Sequence, residues 1–335
     1  MHTLVTGGCG FLGTWMVKQL LAEGQTVTVF DLQRITKRWE MILSPEEIAR
    51  IQFRSVKIEE TQDVVAAVRE IRPDAIIHLA GLQVPSCREN PVLGAKVNVI
   101  GTLNIFEAAK VEAVHFSPLG EERPGVRGFP RVVYASSAAV LGPDAEYPEG
   151  VVANDAAPKP TSHYGAYKLC NEYCAKAYWL TDKLPSVGLR PLTVYGPGRD
   201  FGMTSFPTRA IAAAILKRKF EIPFTGLTAY IHAREVADMF VRCSKNVAED
   251  ARVYSVGGDV TDTAGFLKTL ERVLPGSSQF ISAKGGDIPV TQRLDDAVLR
   301  RDYPGLLRIH LEQGLRETVE VFQRLAQVGK LEACL

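Results

Sequence analysis

The sequence has no long apolar run, no strong excess of charge and no cluster of cysteines. No apolar stretch reaches the roughly 18 residues that a membrane-spanning helix needs, which argues against a membrane protein. The 335 residues include 39 lysines and arginines and 38 aspartates and glutamates, for a net charge of +1. A nucleic-acid-binding protein typically shows a strongly basic face, so nucleic acid is not an expected partner.

The six cysteines are dispersed and include no CxxC pair or other spacing typical of metal ligands. We therefore expect no metal site. Cys170 and Cys174 share a helix face, and packing is the simpler interpretation of that pair. A strand pattern begins at Thr3, which leaves no room for a signal peptide before it. Together these features predict a protein of the reducing cytoplasm.

A glycine-rich turn follows the first strand pattern. The stretch Thr3–Thr6 leads into Gly7, Gly10 and Gly13, and a helical pattern comes next. Glycines at this spacing permit a tight turn and the close approach of a pyrophosphate to the helix N-terminus. An ordinary connection between strand and helix is the alternative.

An acidic residue ends the second strand pattern. Thr26–Phe30 runs into Asp31, which lies 18 residues beyond Gly13. A carboxylate at that distance suits hydrogen bonds from the adenosine ribose hydroxyls. It also repels a 2′-phosphate, so NAD is favoured over NADP, although Arg34, Lys37 and Arg38 follow and could offset that repulsion. The glycines and Asp31 together predict a dinucleotide site that takes NAD.

A tyrosine and a lysine lie four residues apart in the helical pattern Ser162–Leu180. At this spacing Tyr164 and Lys168 share one face of the helix. A free phenol has a pKa of about 10, and a neighbouring cation lowers it. We therefore expect Lys168 to lower the pKa of Tyr164, which would then take a proton from a substrate alcohol while hydride leaves the same carbon. Tyr167 points to a different side of the helix and is predicted to pack.

Further motifs occur in order along the chain. They are Thr6–Gly13 (TGGCGFLG), His78–Gly81 (HLAG), Val97–Thr102 around Asn98, Tyr134–Gly142 (YASSAAVLG) and Leu189–Gly198 (LRPLTVYGPG). With these motifs the chain resembles the extended short-chain dehydrogenase/reductase superfamily, and in particular its NAD-dependent epimerase/dehydratase family. The resemblance covers nearly the whole sequence.

The resemblance implies a catalytic set of Ser137, Tyr164 and Lys168. In this set the Ser137 hydroxyl donates a hydrogen bond to the substrate oxygen as charge develops on it. The alternative for Ser137 is a strand-end serine that bonds its own backbone. The implied NAD-binding residues lie in the same motifs and are Gly7, Gly10, Phe11, Leu12, Gly13, Asp31, Leu79, Ala80, Gly81, Asn98, Tyr164 and Lys168.

Strand and helix patterns alternate, which is typical of a doubly wound α/β fold with a parallel Rossmann sheet. Strands are predicted at Thr3–Thr6, Thr26–Phe30, Ile51–Val56, Ala75–Leu79, Arg131–Ser136 and Val187–Arg190. Helices are predicted at Phe11–Glu23, Thr61–Ile71, Val92–Lys110 and Ser162–Leu180. The stretch Val114–Pro130 is longer than a connection needs and is predicted to be a surface excursion.

After Tyr195 the predicted elements are shorter. Helices are expected at Phe206–Lys219, Val236–Lys245, Thr263–Val273 and Leu311–Leu325. The resemblance implies an NAD-binding domain over residues 1–195 and, over residues 196–335, mainly a smaller domain that closes over the substrate. It also implies a homodimer formed through the helices Val92–Lys110 and Ser162–Leu180, with burial inside one subunit as the alternative.

Several positions depart from the pattern of nucleotide-sugar members. Thr193 and Thr228 stand where those members often have an asparagine and an arginine that contact the diphosphate. Ala138 and Ala139 replace the acidic pair of sugar 4,6-dehydratases, which disfavours dehydration. We therefore expect a smaller polyol, sugar or sugar-acid substrate. The candidate substrate residues are Gln83, Ser86, Thr193, Arg199, Thr204, Ser205 and His232, and Arg199 and Arg209 are candidates to pair with a substrate carboxylate.

The function predicted from these residues is NAD-dependent oxidation of a secondary alcohol, by a dehydrogenase or an epimerase. A nucleotide-sugar 4-epimerase with tightly bound NAD is the alternative of the same class. A catalytically silent NAD-binding or sensing protein is the alternative of another class. Such proteins typically lose the tyrosine or the lysine, and both Tyr164 and Lys168 are present.

Overall fold

The structure is a computed structural model that describes residues 1–113, 128–147, 150–246 and 250–334. Most of the excursion predicted over Val114–Pro130 lies outside the described residues. Within them, no helix is both long enough and apolar enough to cross a bilayer. No group of three or more histidine, cysteine, aspartate or glutamate side chains in the same ranges is arranged to hold a metal ion.

A seven-stranded parallel sheet forms the centre of the molecule. Its strands are β1 His2–Thr6, β2 Thr26–Asp31, β3 Gln52–Ser55, β4 Ala75–His78, β5 Arg131–Ala135, β6 Ser186–Arg190 and β10 Ala251–Ser255. They are ordered β10-β6-β5-β4-β1-β2-β3. Strands β1, β4 and β6 are almost continuously buried, because helices cover both faces of the sheet. The predicted doubly wound α/β fold is confirmed.

The helices form layers on the two faces. They are α1 Phe11–Ala22, α2 Trp39–Ile42, α3 Pro45–Ala49, α4 Thr61–Ile71, α5 Val84–Glu89, α6 Pro91–Ala95, α7 Gly101–Ala113, α8 His163–Asp182, α9 Phe206–Ile215, α10 Ala233–Lys245, α11 Thr263–Val273, α12 Ala297–Asp302 and α13 Leu311–Gln327. Helices α1 and α10 pack together on one face, and α4, α7 and α8 pack on the other. Alternate residues of the strands point to these two layers, so two apolar cores form.

The remaining strands form two small sheets. They are β7 Thr193–Tyr195, β8 Phe220–Phe224, β9 Leu227–His232, β11 Asp259–Asp262 and β12 Ile281–Gly286. Strand β9 pairs with β7 and β11, and β8 pairs with β12. Strand β10 comes from the carboxyl-terminal part of the chain and yet pairs with β6 in the large sheet. The division into domains at residue 195 stays a prediction.

Two predicted helices differ from the observed ones. The helix predicted over Val92–Lys110 consists of α6, a π-helical turn at Lys96–Ile100 and α7. The helix predicted over Phe206–Lys219 ends at Ile215. Lys217 has a φ of 53°, and this left-handed conformation ends the helix before the chain enters β8.

Candidate active site

A cavity of about 500 Å³ opens at the carboxyl ends of the central strands. This is the position where open α/β sheets bind their ligands. All twelve residues predicted to bind NAD line it, as do the three predicted catalytic residues. The fold therefore brings together groups that are far apart in the sequence.

The glycine-rich turn fits the close approach of a dinucleotide. Gly7 has a φ of 69°, a conformation that favours glycine. A Cβ atom on Gly7 would also lie 2.9 Å from the backbone nitrogen of Ala80. The backbone of the HLAG segment can therefore lie against the turn only because no side chain is present. Helix α1 begins directly after this turn, with Gly10 as its N-cap.

Asp31 lies at the end of β2 and faces the same cavity. Its Oδ2 accepts a hydrogen bond from the Cys9 backbone at 3.0 Å, and its Oδ1 accepts one from Leu32 at 2.9 Å. These bonds orient the carboxylate, and each oxygen keeps capacity for a second donor. The guanidinium of Arg38 forms an ion pair with Asp200 at 2.7 Å and also donates to the carbonyl oxygen of Cys9 at 3.4 Å, so two of its donor groups are already occupied. The arrangement fits a ribose with free hydroxyls.

Lys168 and Tyr164 lie on one face of α8, as their spacing predicts. The helix begins where the Ser162 hydroxyl accepts a hydrogen bond from the Gly165 backbone at 3.1 Å. Lys168 Nζ lies 5.6 Å from the centroid of the Tyr164 ring and donates to the carbonyl oxygen of Ala135 at 2.8 Å. Burial lowers the pKa of Lys168 to about 8. The ammonium group is thus held at the end of β5.

The pKa of Tyr164 is not lowered overall, although Lys168 lies beside its ring. Burial raises the pKa of Tyr164 above its ordinary value, and this effect outweighs the others. The groups that act in the opposite direction are the Ser137 hydroxyl and the charge of Arg199. Helix spacing placed the cation correctly, but it contains no information about desolvation of the phenol.

The structure is compatible with both roles considered for Ser137, namely a hydrogen bond with the local backbone and donation to the substrate oxygen. It caps a short 3₁₀ turn, where its Oγ accepts a hydrogen bond from the backbone of Ala139 at 3.1 Å. Because the backbone uses an acceptor site, the hydroxyl proton stays available to a neighbouring oxygen. The side chain also lines the cavity beside Tyr164. Its backbone bond and a donor role are therefore compatible.

Asn98 lies inside the π-helical turn, and its side chain is fully buried. Its Nδ2 donates to the carbonyl oxygens of Gly94 at 3.0 Å and Leu82 at 3.2 Å. Its Oδ1 has no hydrogen-bond partner within the described residues. A Cβ atom on Gly81 would lie 2.7 Å from this oxygen. An unpaired buried acceptor beside the HLAG segment fits a site that binds a polar ligand.

A buried ion pair lies one helical turn beyond Lys168. Glu172 accepts two hydrogen bonds from the Arg190 guanidinium, at 2.8 and 2.7 Å. Ser136 donates to the same carboxylate at 2.5 Å. Helix α8, strand β6 and the residue before Ser137 are thereby joined at one point. This pair was not predicted from the sequence, although Glu172 continues the four-residue spacing of Tyr164 and Lys168.

Three of the predicted substrate residues, Gln83, Arg199 and Thr204, line the cavity. Ser86, Thr193, Ser205 and His232 are not among its lining residues. Arg209 also lies away from the lining, with its guanidinium 5.2 Å from the centroid of the Phe220 ring. The cavity wall includes apolar residues that the sequence analysis did not single out: Leu82, Val84, Pro85, Leu93, Leu192, Met203, Ile288 and Val290.

The residues that do not reach the cavity have other partners. Thr193 in β7 and Thr228 in β9 are buried, and their hydroxyl oxygens lie 2.8 Å apart. His232 is fully buried and lies edge-on to Trp15, with ring centroids 5.4 Å apart. Its Nδ1 accepts a hydrogen bond from the Arg234 backbone at 3.4 Å, at the start of α10. Neither threonine lines the cavity.

The chain belongs to the NAD dependent epimerase/dehydratase family, whose model matches residues 3–257. This class of enzyme was expected from the motifs, and it is confirmed together with NAD as the cofactor. The glycine turn, Asp31 and Asn98 are the groups in this chain that fit NAD.

Curated relatives and solved structures cover almost the whole chain. A UDP-glucose 4-epimerase of Mycolicibacterium smegmatis is 29% identical over 98% of this chain and 100% of its own length. A decarboxylating sterol-4-alpha-carboxylate 3-dehydrogenase of Bos taurus is 28% identical over 81% of this chain and 68% of its own. The structure of Thermus thermophilus UDP-glucose 4-epimerase in complex with NAD has a TM-score of 0.76 at 25% identity, and the match covers 96% of this chain and 99% of that one.

Proposed function

We propose that this protein oxidises a secondary hydroxyl of a small sugar, polyol or sugar-acid substrate. The observation that carries the proposal is the convergence of Ser137, Tyr164 and Lys168 on one cavity beside the glycine turn. The alternative of a catalytically silent NAD-binding protein is disfavoured, because such proteins have no need to retain all three groups.

The residues have distinct roles in this proposal. Tyr164 takes the proton of the substrate hydroxyl. Ser137 donates a hydrogen bond to the same oxygen while its charge changes. Lys168, held by the carbonyl oxygen of Ala135, supplies positive charge next to the Tyr164 ring. NAD, when bound, accepts the hydride released by the carbinol carbon. In a dehydrogenase the ketone leaves, whereas in an epimerase it is reduced again on its other face.

The test is Tyr164→Phe, with Tyr167→Phe as its matched control. Tyr167 lies on the same helix, but its hydroxyl donates to the Pro91 carbonyl oxygen at 2.8 Å. Loss of a general base is expected to reduce turnover by about 100- to 10,000-fold. NAD affinity, measured by calorimetry, should change little, because the Tyr164 hydroxyl is proposed to face substrate. Near-normal turnover in Tyr164→Phe would remove the proposed mechanism.

A nucleotide-sugar 4-epimerase is the second candidate. It is favoured by the relative named UDP-glucose 4-epimerase, whose whole length this chain matches. It is disfavoured by the positions of Thr193 and Thr228, which are buried and do not line the cavity. Calorimetric titration of UDP and UDP-glucose into the NAD complex separates the two candidates. Micromolar binding of UDP-glucose followed by its epimerisation would establish the second.

We also propose a homodimer formed through α6, the π-helical turn and α8. The support is a set of large apolar side chains that these helices leave exposed: Val92 at 69%, Ile100 at 42%, Tyr173 at 61% and Leu180 at 60%. A monomer exposes such side chains singly, and a group of them on neighbouring helices is typical of an interface.

A further inference from the structure

We propose that the substrate carries a carboxylate close to the hydroxyl that is oxidised, and that Arg199 binds this carboxylate. The inference rests on the proposed function for the identity of the reacting hydroxyl. It narrows the substrate from sugars and polyols in general to hydroxy acids such as aldonates.

Arg199 lines the cavity and forms no ion pair with a carboxylate of the described residues. Its guanidinium lies 5.5 Å from the centroid of the Phe11 ring, and its Nη2 donates to the Thr204 hydroxyl at 3.1 Å. Its Nε is buried and has no acceptor within the described residues. The adjacent carboxylate, Asp200, is already engaged by Arg38 at 2.7 Å. The cation therefore lines the site with hydrogen-bonding capacity left over.

The surroundings of Arg190, another arginine with a buried side chain, differ from those of Arg199. Arg190 is 6% exposed, and Glu172 accepts hydrogen bonds from its Nε and Nη2. An internal carboxylate is thus supplied where the arginine has only a structural role. A half-buried guanidinium without such a partner carries a desolvation cost that a bound anion offsets. Arg199 meets this description, whereas Arg190 does not.

Two neutral polar groups lie beside Arg199. Gly202 has a φ of 97°, and a Cβ atom on it would lie 2.1 Å from Gln83 Oε1 and 3.3 Å from Arg199 Nη2. Gln83 and Arg199 therefore approach one point of the backbone, where only glycine leaves room. With Thr204 they form a polar corner in a wall that also includes apolar Met203 and Leu82. A carboxylate with neighbouring hydroxyls matches this combination of donors.

The position of Arg199 indicates where the anion lies relative to the reacting atom. Arg199 and Tyr164 line the same cavity, and the charge of Arg199 lowers the pKa of the Tyr164 phenol. Both side chains therefore face the space in which the reacting hydroxyl would lie. A carboxylate on the carbon next to the carbinol carbon, or on the carbon after that, fits this position. The diphosphate of a nucleotide sugar is many bonds away from the sugar hydroxyl that reacts.

The experiment measures binding and turnover separately. Gluconate and glucitol, galactonate and galactitol, and threonate and threitol are titrated by calorimetry into the NAD complex, and NADH formation is followed with each. We expect each acid to bind about tenfold or more tightly than its polyol, as a charge-assisted hydrogen bond provides. Arg199→Met should abolish this preference, and Arg199→Lys should retain part of it.

Arg209→Met is the matched control. Arg209 also lies over a phenylalanine ring, and its buried Nε also has no acceptor in the part of the chain that the structure describes, but it does not line the cavity. The acid preference should persist in this variant. Thermal unfolding of all three variants checks that they are folded. If Arg199→Met does not fold, the comparison of Arg199→Lys with the unchanged protein still tests the proposal.

The possible results distinguish the binding of a carboxylate by Arg199 from the proposed oxidation of a secondary hydroxyl. Acids and polyols that bind equally, or a preference unchanged in Arg199→Met, would overturn the inference while leaving the proposed oxidation intact. An equal loss of turnover on acids and polyols in Arg199→Met, with the pH profile moved to higher pH, would show that Arg199 only tunes Tyr164 and would also overturn it. An Arg199-dependent acid preference without oxidation of any probe would support the inference and count against the proposed function.

Discussion

Individual side chains at the edge of the sheet determine the chemistry available to this protein. Tyr164 shows this most directly, because burial raises its pKa while Ser137 and Arg199 act against that rise. The phenol is therefore a base whose strength depends on its neighbours rather than on Lys168 alone. A substrate anion paired with Arg199 would weaken one of those influences, so binding and proton transfer are coupled at this position.

The cofactor preference can be tested at Asp31. The change Asp31→Ala removes a charged acceptor for the ribose hydroxyls and should weaken NAD binding by about 1.5–3 kcal/mol. It should also reduce the discrimination against NADP, because repulsion of the 2′-phosphate is lost. Calorimetric titration with both cofactors measures this. If the unchanged protein already prefers NADP, the interpretation of Asp31 is wrong, and Arg34 or Arg38 governs the choice.

A second prediction for individual residues concerns the ion pair between Glu172 and Arg190. Glu172→Leu leaves a buried guanidinium unpaired and should reduce the free energy of unfolding by about 3–5 kcal/mol. The double variant with Arg190→Met removes both charges and should recover much of this loss, since apolar residues of similar volume often replace a buried pair without penalty. Urea unfolding measures both. A double variant that is less stable than the single one would contradict this account.

At the scale of elements, the sequence predicted most of the central sheet but not all of its neighbours. The six predicted strands are present within about two residues at each end, because buried parallel strands are short apolar runs between glycine-rich or polar turns. Strand β10 was missed, since Ala251–Ser255 begins with three half-buried or exposed positions, includes the charged Arg252 and has no motif. Pairing with β6 over a long range determines it, and local pattern cannot show such pairing.

The same limit applies to the candidate site. Motif order located Ser137, Tyr164, Lys168 and the residues that fit NAD, because these belong to local turns and one helix face. Thr193 and His232 were expected to reach substrate, yet both are buried in packing between β7, β9 and α10. The π-helical turn around Asn98 was read as a continuous α-helix, because an extra residue in one turn hardly alters the apolar pattern.

Two buried histidines predict a loss of stability in acid. His78 ends β4, His232 ends β9, and burial lowers their pKa values to about 3 and about 4. Their neutral forms are favoured only in the folded state, so their contribution is full above the unfolded pKa of about 6.5 and is lost as the pH falls toward 4. Each histidine contributes a slope of at most about 1.4 kcal/mol per pH unit.

Urea unfolding between about pH 7.5 and 4.5 measures this slope. His232→Gln should flatten it, because one of the two groups is removed, even though the variant is less stable at neutral pH. Glu235 acts in the opposite direction, since burial raises the pKa of that carboxyl. The comparison of the variant with the unchanged protein separates the histidine contribution. An identical slope in both proteins would show that His232 does not contribute.

At the scale of the whole molecule, the proposed dimer can be broken without touching the cavity. Tyr173 is 61% exposed on α8, and Tyr173→Glu places a charge in the proposed interface, where burial without a partner is costly. We expect this change to yield monomers at micromolar concentration, as measured by sedimentation velocity. Val328→Glu is the control, since Val328 is 63% exposed and lies beyond α13. A monomeric unchanged protein would contradict the proposal.

The pairing of β6 with β10 also has a consequence for biosynthesis. A ribosome releases Ser186–Arg190 well before Ala251–Ser255, so β6 is an open edge while the intervening chain is still being made. Open strand edges recruit other strands, including those of neighbouring nascent chains. Slower translation after residue 255 would not reduce such mispairing, because β10 has then already been made. Faster synthesis of the segment between β6 and β10, or a chaperone that shields the edge of β6, would reduce it. The expression yield therefore depends on how long the edge of β6 stays unpaired, and not only on the stability of the finished fold.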